Sequence, residues 1–323
     1  MTLRSPGMGT GRKLTSILLF LIGTMASLAT ILGFAGSMWW GWDRIADWRF
    51  PLLVVLVVTS VVYGFGFRRA ASALFLLAAI VNAVLLAPLW LSTQATAASS
   101  DRIRIVSLDA SGSGSDASGI AEWIHSMEAD VAMLYRTNEG WADTLETAGV
   151  PYRILPALAG ADALGPPIVL VRGDTRVTAV QPLPGSDVTL RLELGATQVT
   201  VAGLAVLNPG STLEADQRIA RFAALNAAVT ELADPVVVTG NLETSRWSHA
   251  FDSIADGLNN SEDGFGYAAT WPRLDPPIVG TYMGLPLDHA LYGGTITVPA
   301  RRIGPDLGSA HRPLLFEVSP AAG

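Results

Sequence analysis

Polar side chains follow a continuous apolar run at residues 235–240. The run, PVVVTG, is typical of a buried strand, and Asn241 and Glu243 come soon after it. In an enzyme that cleaves phosphodiesters, the loop that follows such a strand would contain an aspartate. The amide of Asn241 accepts no proton at neutral pH, so this stretch could form a working site, a variant of one, or only its framework.

Four other polar residues stand at the ends of predicted strands. Asp109 follows RIRIVSL, Arg136 follows DVAMLY, Asp288 begins DHALYGG, and His311 precedes PLLFEVS. Carboxylate oxygens hold hard divalent cations such as Mg²⁺, and a histidine beside an aspartate can transfer protons. These residue types would suit phosphate-ester chemistry if the fold brought them together.

The elements that must position these residues lie between residues 102 and 323. Period-2 patterns predict strands at 102–108, 130–135, 167–173, 176–182, 188–194, 197–207, 235–240, 288–294 and 313–319. Helices interleave with these strands near 121–127, 211–232 and 247–254. The pattern predicts an α/β fold, a four-layer α-β-β-α sandwich in which two packed mixed sheets are flanked by helices.

The helix at 211–232 has the clearest boundary signal. Ser211 and Glu214 form a capping box at its start. The spacing of its apolar residues predicts that its buried face consists of Ile219, Phe222, Val229 and Leu232.

The region before residue 92 is predicted to be a membrane anchor. No charged residue occurs from Leu14 to Trp42, from Phe50 to Phe67 or from Ala70 to Ser100. A helix crosses a hydrocarbon core in about 20 residues. We therefore expect three transmembrane helices in residues 1–91, at about 14–36, 50–67 and 70–91, with a small polar linker at 92–101.

The basic residues predict the orientation of this anchor. Arg4, Arg12, Lys13, Arg68 and Arg69 would share one side of the membrane, which the positive-inside rule places in the cytoplasm. We expect a multi-pass bacterial inner-membrane protein with a cytoplasmic N-terminus and a periplasmic or extracellular domain at 102–323. A cleaved signal peptide is the alternative for the first segment, but its apolar run is long for one.

The charge of the domain disfavours nucleic acid as a partner. Residues 101–323 contain 14 arginines and 26 acidic residues, a net charge of about −12, with no basic cluster along the sequence. Such a surface repels phosphate backbones. The expected partners are the membrane and an unknown protein or small phosphate-containing ligand.

Seven segments, in this order, resemble the endonuclease/exonuclease/phosphatase superfamily in its bacterial branch with an N-terminal transmembrane anchor. They are IRIVSLD, ADVAMLYR, VAGLAVLNP, VVVTGNLETSRWS, TWP, LPLDHALY and GSAHRPLL. The resemblance covers most of residues 102–323. It implies metal-dependent hydrolysis of phosphate esters and a site at the ends of the strands.

The cation-binding part of the family pattern is changed in this chain. The metal-ligating Glu of the second strand falls on Arg136, and the Asn of the first strand falls on Asp109. In the Gly-Asp-x-Asn segment, the Asp becomes Asn241 and the Asn becomes Glu243. The resemblance therefore implies a degenerate site.

The histidine part of the pattern is half retained. The strand His falls on Val206, and the Asp before the last His falls on Ala310. Asp288 and His311 match the pair in which the Asp orients the His. These two residues are the remaining catalytic candidates together with Asn241, although they could equally be structural hydrogen-bonding residues.

The change at residue 136 is the strongest argument in the sequence against a bound metal ion. A guanidinium stays protonated, and at about 4 Å from a divalent ion its repulsion would be about 8 kcal/mol at an effective dielectric near 20. Relative to the family pattern, Arg136 replaces the metal-ligating Glu, and carboxylates replace amides beside the cation position at Asp109 and Glu243. We expect Arg136 to occupy the metal position and to pair with one or both of them, so that these three residues line the site.

Three functions remain open from the sequence. The first is a catalytically impaired domain, a pseudoenzyme, that binds or interacts outside the cytoplasm and needs no cofactor. The second is an active phosphoesterase or phosphodiesterase, in which Asp109, Glu243 and Asp288 hold Mg²⁺ or Mn²⁺ and His311 assists. The third is a purely structural membrane component.

Overall fold

The computed structural model describes residues 10–66, 69–94, 96, 101–112, 114–155, 164–173, 175–272 and 282–321. The chain separates into two compact units, residues 1–87 and residues 88–323. We call them the helical unit and the sandwich domain, and describe each by itself.

The described residues of the helical unit form four α-helices. They are α1 (Thr10–Leu32), α2 (Trp40–Ala46), α3 (Arg49–Gly66) and α4 (Arg69–Leu86). Within the described residues, α1 and α4 are long and apolar enough to cross a membrane, and the bent pair of α2 and α3, at 65°, would make a third span if counted as one. The two helices indicate association with a membrane, and a third span stays a prediction.

Two of the predicted spans end earlier than their sequences predict. The segment predicted at 14–36 ends at Leu32, where the buried Arg49 donates from Nη1 to the carbonyl of Thr30 at 2.8 Å and caps the last turn. The segment predicted at 70–91 ends at Leu86. Pro88 has no N–H to continue the helix and disfavours a helical residue before it.

The residues after Pro88 belong to the sandwich domain, which reaches into the predicted linker. Pro88–Leu91 forms α5, whose carbonyls at Pro88 and Leu89 accept from the N–H groups of Gly264 (3.2 Å) and Gly266 (2.7 Å). Gln94 donates to the carbonyl of Gly264 at 2.9 Å. The residues at 92–94 are therefore held by the domain, whereas residues 95 and 97–100 lie outside the described part of the chain.

In the rest of the domain, the residues that the structure describes form twelve strands and four further helices. The strands are β1 (Ile103–Asp109), β2 (Val131–Tyr135), β3 (Tyr152–Leu155), β4 (Ile168–Arg172), β5 (Val177–Val180), β6 (Val188–Leu194), β7 (Thr197–Ala205), β8 (Val236–Asn241), β9 (Asn259–Asn260), β10 (Asp288–Gly293), β11 (Ile296–Ile303) and β12 (Leu314–Pro320). The helices are α6 (Ala117–Ser126), α7 (Trp141–Thr147), α8 (Thr212–Thr230) and α9 (His249–Ala255).

The strands form two mixed six-stranded sheets flanked by helices. Their orders are β11-β12-β1-β2-β4-β3 and β5-β6-β7-β8-β10-β9, with one parallel pair in each, β1 with β2 and β7 with β8. One apolar layer lies between the sheets, and two others lie under α6–α7 and under α8–α9. This arrangement agrees with the predicted α-β-β-α order.

Helix α8 forms where its capping box predicts, but its buried face is rotated by one residue. Ser211 caps the helix by accepting from the N–H of Glu214, and the buried residues are Ala215, Arg218, Phe222, Leu225 and Val229. Ile219 and Leu232 are only partly buried. The prediction therefore holds for Phe222 and Val229, and it did not include the buried Arg218.

Candidate functional site

The site lies where strands of the two sheets end side by side. Asp109 is the last residue of β1, and Arg136 follows the last residue of the parallel strand β2. In the other sheet, Asn241 ends β8 and pairs in register with Asp288, the first residue of β10. Local pairing thus brings two polar positions together in each sheet, and packing of the sheets brings the pairs together.

The glycine of the TGN segment is required by the backbone. Gly240 has φ 144°, and a Cβ added there would lie 1.7 Å from the carbonyl oxygen of Leu204. No other residue tolerates both the dihedral angle and this approach. The glycine therefore fixes the end of β8 against β7 and aims Asn241 at the site.

Arg136 pairs with both carboxylates, as the sequence analysis predicted. Its Nη2 contacts Oδ2 of Asp109 in a short ion pair and lies 3.3 Å from Oε1 of Glu243. Arg136 and Glu243 have φ 51° and 49°, values that are uncommon for residues other than glycine. Backbone strain of this kind concentrates at functional sites.

Asn241 connects the same two carboxylates. Its Nδ2 donates to Oδ2 of Asp109 and to Oε1 of Glu243, both at 2.9 Å, and its Oδ1 accepts from the N–H of Glu243 at 2.9 Å. The amide therefore acts as a donor toward oxygens that a metal ion would otherwise engage. An aspartate in its place would add a third negative charge.

His311 and Asp288 form the predicted pair on the other side of Glu243. Nδ1 of His311 lies 2.8 Å from Oδ2 of Asp288, and Nε2 lies 3.6 Å from Oε1 of Glu243. The hydroxyl of Thr270 accepts from the N–H of Asp288 at 3.2 Å and so fixes the start of β10. Asp109, Asn241, Asp288 and His311 are all at most 2% exposed.

The charges of the site stabilise one another against burial. Burial opposes ionisation of Asp109, but the charges of His311 and Arg136 hold the pKa of Asp109 below its ordinary value. Burial also opposes ionisation of Glu243, and the adjacent His311 together with the hydrogen bond from Asn241 holds its pKa low. The pKa of Arg136 is raised, because pairing with Asp109 outweighs burial.

The pKa of His311 is shifted furthest within the site. Burial alone would lower it, but the adjacent charge and hydrogen bond of Asp288 raise it from 6.5 to about 10. The imidazole is therefore protonated at neutral pH. A cationic imidazole has no free nitrogen to accept a proton from water.

The positions where the family carries a further His and Asp are apolar here. Val206 is 4% exposed and packs in the apolar layer under α8–α9, and its N–H donates to the carbonyl of Asn241 at 3.0 Å. Ala310 donates through its N–H to the carbonyl of Ser111 at 2.6 Å. This contact ties the residue before His311 to the loop after β1.

The described residues do not fit a metal ion at this site. No three His, Asp or Glu side chains in the described part of the chain converge as a group that could hold one. Asp109 and Glu243 turn oxygens to Arg136, and Asp288 turns Oδ2 to His311, so oxygens of the alternative ligand set of Asp109, Glu243 and Asp288 are engaged by cationic side chains in this structure.

Sequence reasoning missed one buried residue of this site. Arg218 of α8 is 5% exposed and donates from Nη1 to the carbonyl of Glu243 at 2.9 Å, which supports the strained loop. A signal was present, since Arg218 lies four residues before Phe222, which in turn is three before Leu225 on the buried stripe.

Comparison with known proteins finds similarity in structure. The sequence matches no protein-family model and no curated protein. An endonuclease/exonuclease/phosphatase family protein from Bacteroides thetaiotaomicron is similar in structure with a TM-score of 0.53 and 12% identity, over 67% of this chain and 94% of that chain. The sandwich domain has the endonuclease/exonuclease/phosphatase fold.

Two other solved structures support the same assignment. TDP2 from D. rerio, complexed with a single-strand DNA product, has a TM-score of 0.52 and 12% identity over 68% of this chain and 99% of that chain. A mannosyl-6-phosphatase from Bacteroides thetaiotaomicron has a TM-score of 0.50 and 12% identity over 67% and 99%. Phosphatases and nucleases thus share this fold, and identities this low show the fold alone.

Proposed function

We propose that this protein belongs to the bacterial, membrane-anchored branch of the endonuclease/exonuclease/phosphatase superfamily. Its sandwich domain no longer hydrolyses phosphate esters and serves as a binding or interaction module. One observation carries the proposal. The guanidinium of Arg136 lies between Asp109 and Glu243, where a catalytic cation would need those carboxylates. A guanidinium and a divalent ion about 4 Å apart would repel by about 8 kcal/mol at an effective dielectric near 20.

The proposed location follows from the basic residues of the anchor. Three spans, with the N-terminus and the basic pair at Arg68–Arg69 in the cytoplasm, would put the domain in the periplasm or outside the cell. The partner would be a protein or a small phosphate-containing ligand. Nucleic acid is disfavoured by the net charge of about −12.

The second candidate is a metal-dependent phosphoesterase; one of the similar structures is a phosphatase by name, the mannosyl-6-phosphatase. The ion pair between His311 and Asp288 favours it, because this pair is kept from the family pattern at 2.8 Å. It requires Arg136 to leave the carboxylates when a metal ion binds.

The deciding experiment combines metal binding with turnover. Mg²⁺ and Mn²⁺ are titrated calorimetrically into the full-length protein in nonionic detergent, and hydrolysis of bis-p-nitrophenyl phosphate is followed with each metal. We expect no saturable binding and no turnover above buffer. Metal-dependent turnover that disappears in Asp288→Ala or His311→Ala would establish the phosphoesterase instead.

A variant of Arg136 tests whether this residue is the reason for the expected absence of metal binding. Arg136→Ala leaves two carboxylates with little water, so we expect it to lower the free energy of unfolding by about 3–5 kcal/mol and Mg²⁺ to restore part of that loss. Arg176→Ala is the control, because Arg176 also pairs with a carboxylate but is 79% exposed. It should change stability by less than about 1 kcal/mol and show no response to Mg²⁺.

A further inference from the structure

Three arginines that are far apart in the sequence line one groove of the sandwich domain. The groove has a volume of about 550 Å³, and its wall includes Arg153 of β3, Arg176 before β5 and Arg191 of β6. It lies at β3 and β5, the edge strands of the two sheets. The sequence shows no basic cluster because these residues meet only in the folded domain.

The groove is separate from the candidate site. The site lies at the carboxyl ends of β2 and β8. Strand β4 runs antiparallel to β2, and β7 runs parallel to β8. Gly173 after β4 and Gln198 at the start of β7 line the groove, so it lies at the opposite end of the strands.

The groove is positive although the domain is negative. Arg176 pairs with Glu193 at 3.0 Å, and Arg153 donates to the carbonyl of Thr175 at 3.1 Å. Within the described residues, neither Arg153 nor Arg191 has a carboxylate within 4.0 Å. Among the described residues that line the groove, three guanidinium groups thus stand against one carboxylate, in a domain whose net charge is about −12.

At physiological salt, the charge of the groove arginines acts on a bound anion more strongly than the acidic residues elsewhere in the domain. Charges more than about 8 Å away are largely screened at 0.15 M ionic strength, so an anion in the groove interacts mainly with the arginines that line it. Guanidinium groups match phosphate oxygens in a bidentate geometry. Arg153 and Arg191, which pair with no carboxylate in the described part of the chain, have donors available for this purpose.

We propose that this groove is a binding site for a phosphate group, carried by a soluble phosphate ester or by a lipid head group. The proposal concerns a different surface from the candidate site and does not depend on whether that site hydrolyses anything. Binding is of the salt-sensitive kind, because the guanidinium groups stay in contact with water.

The test uses inorganic pyrophosphate as the probe, because its two phosphates can accept from several guanidinium groups. Pyrophosphate is titrated calorimetrically into the full-length protein in nonionic detergent, with EDTA present so that no metal-dependent binding contributes. We expect saturable binding of one pyrophosphate per chain that weakens as salt increases. Arg153→Gln combined with Arg191→Gln should weaken it by about tenfold or more.

The matched control removes the same charge elsewhere. Arg102→Gln combined with Arg302→Gln alters two other arginines outside the groove, one of them on the opposite edge strand β11. Affinity should stay within about twofold of the unchanged protein. Absence of saturable binding, or equal weakening by both double variants, overturns the proposal.

A second arm identifies the source of the phosphate. Phosphatidylglycerol is added to the detergent micelles during the pyrophosphate titration. If the groove takes a lipid head group, the lipid displaces pyrophosphate from the unchanged protein. If the groove takes a soluble ester, glycerol 3-phosphate displaces pyrophosphate and the lipid does not. Displacement by neither compound contradicts a phosphate site.

Discussion

His311 is held in its protonated form by the carboxylate beside it. Its Nδ1 lies 2.8 Å from Asp288, and this partner raises the pKa of the imidazole to about 10 against the opposing effect of burial. A working acid–base catalyst has a pKa near the pH at which it operates. The pKa of His311 therefore fits a structural cation better than a catalytic base.

Asp288→Asn should move the pKa of His311 downward by about two units, because an opposite charge at this distance shifts a pKa by about 1–3 units. The titration of the imidazole C–H resonances by NMR measures this shift in the full-length protein. Glu193→Gln, at an exposed position near the end of β6 and away from the candidate site, should leave the titration unchanged. An unchanged pKa in Asp288→Asn would contradict the assignment of Asp288 as the main partner.

The same shift sets a pH dependence of stability. The folded pKa of His311, about 10, lies above the ordinary 6.5, so its contribution is complete below pH 6.5 and is lost as pH rises to 10. The unchanged protein should therefore lose more stability across this window than Asp288→Asn does.

At the scale of elements, strand β10 joins the candidate site to a second buried charge cluster. Asp288 points to the site, and the next residue, His289, points away, as strand alternation predicts. Nε2 of His289 lies 2.8 Å from the carbonyl of Thr244, and Nδ1 lies 3.0 Å from Glu262, which Arg301 of β11 approaches at 3.5 Å. The cluster thus braces the residue next to Glu243.

Glu262→Gln should lower the free energy of unfolding by about 3–5 kcal/mol, because it leaves the buried guanidinium of Arg301 without its carboxylate. Burial opposes ionisation of Glu262, but His289 and Arg301 lower its pKa to about 2. Its contribution is therefore present above pH 4.5 and is lost as pH falls toward 2. Denaturant unfolding at pH 7 and pH 3 measures both effects, and Glu193→Gln serves as the exposed control.

The sequence predicts those elements whose signals are local. The capping box at Ser211 and the apolar run of β8 are confirmed, and so is the pairing of Arg136 with Asp109 and Glu243, which depends on charge compensation. Strand β11 was missed because Pro299 within ITVPARRI argues against a strand. The support of Glu243 by Arg218 was missed as well, because contacts between α8 and the loop after β8 depend on tertiary packing.

At the scale of the whole molecule, the net charge of the domain and the charge of its groove predict different behaviour toward anions. The acidic composition gives the domain a net charge of about −12, but three arginines separated by 23 and 15 positions converge on one groove. Sequence clustering detects only neighbours along the chain. A patch assembled from edge strands of two sheets therefore becomes visible only in the folded structure.

The boundary of the domain lies before α5, and a truncation should reveal it. A fragment of residues 101–323 lacks Leu89, which is 2% exposed, and the three hydrogen bonds that residues 88–94 make with Gly264 and Gly266. We expect it to be less stable than a fragment of residues 88–323 by about 3–5 kcal/mol in denaturant unfolding. Equal stability would mean that the segment only rests on the domain.

The attachment of residues 88–94 also decides where a mechanical force would act. Tension along the chain at Gln94 would load the hydrogen bonds to Gly264 and Gly266 before it reached β1. The turn that bears this load also carries Glu262, which contacts His289, and His289 in turn contacts the loop of Glu243. A pull on residues 88–94 would therefore act first on the turn of Gly264 and Gly266, which is connected to the candidate site through Glu262 and His289.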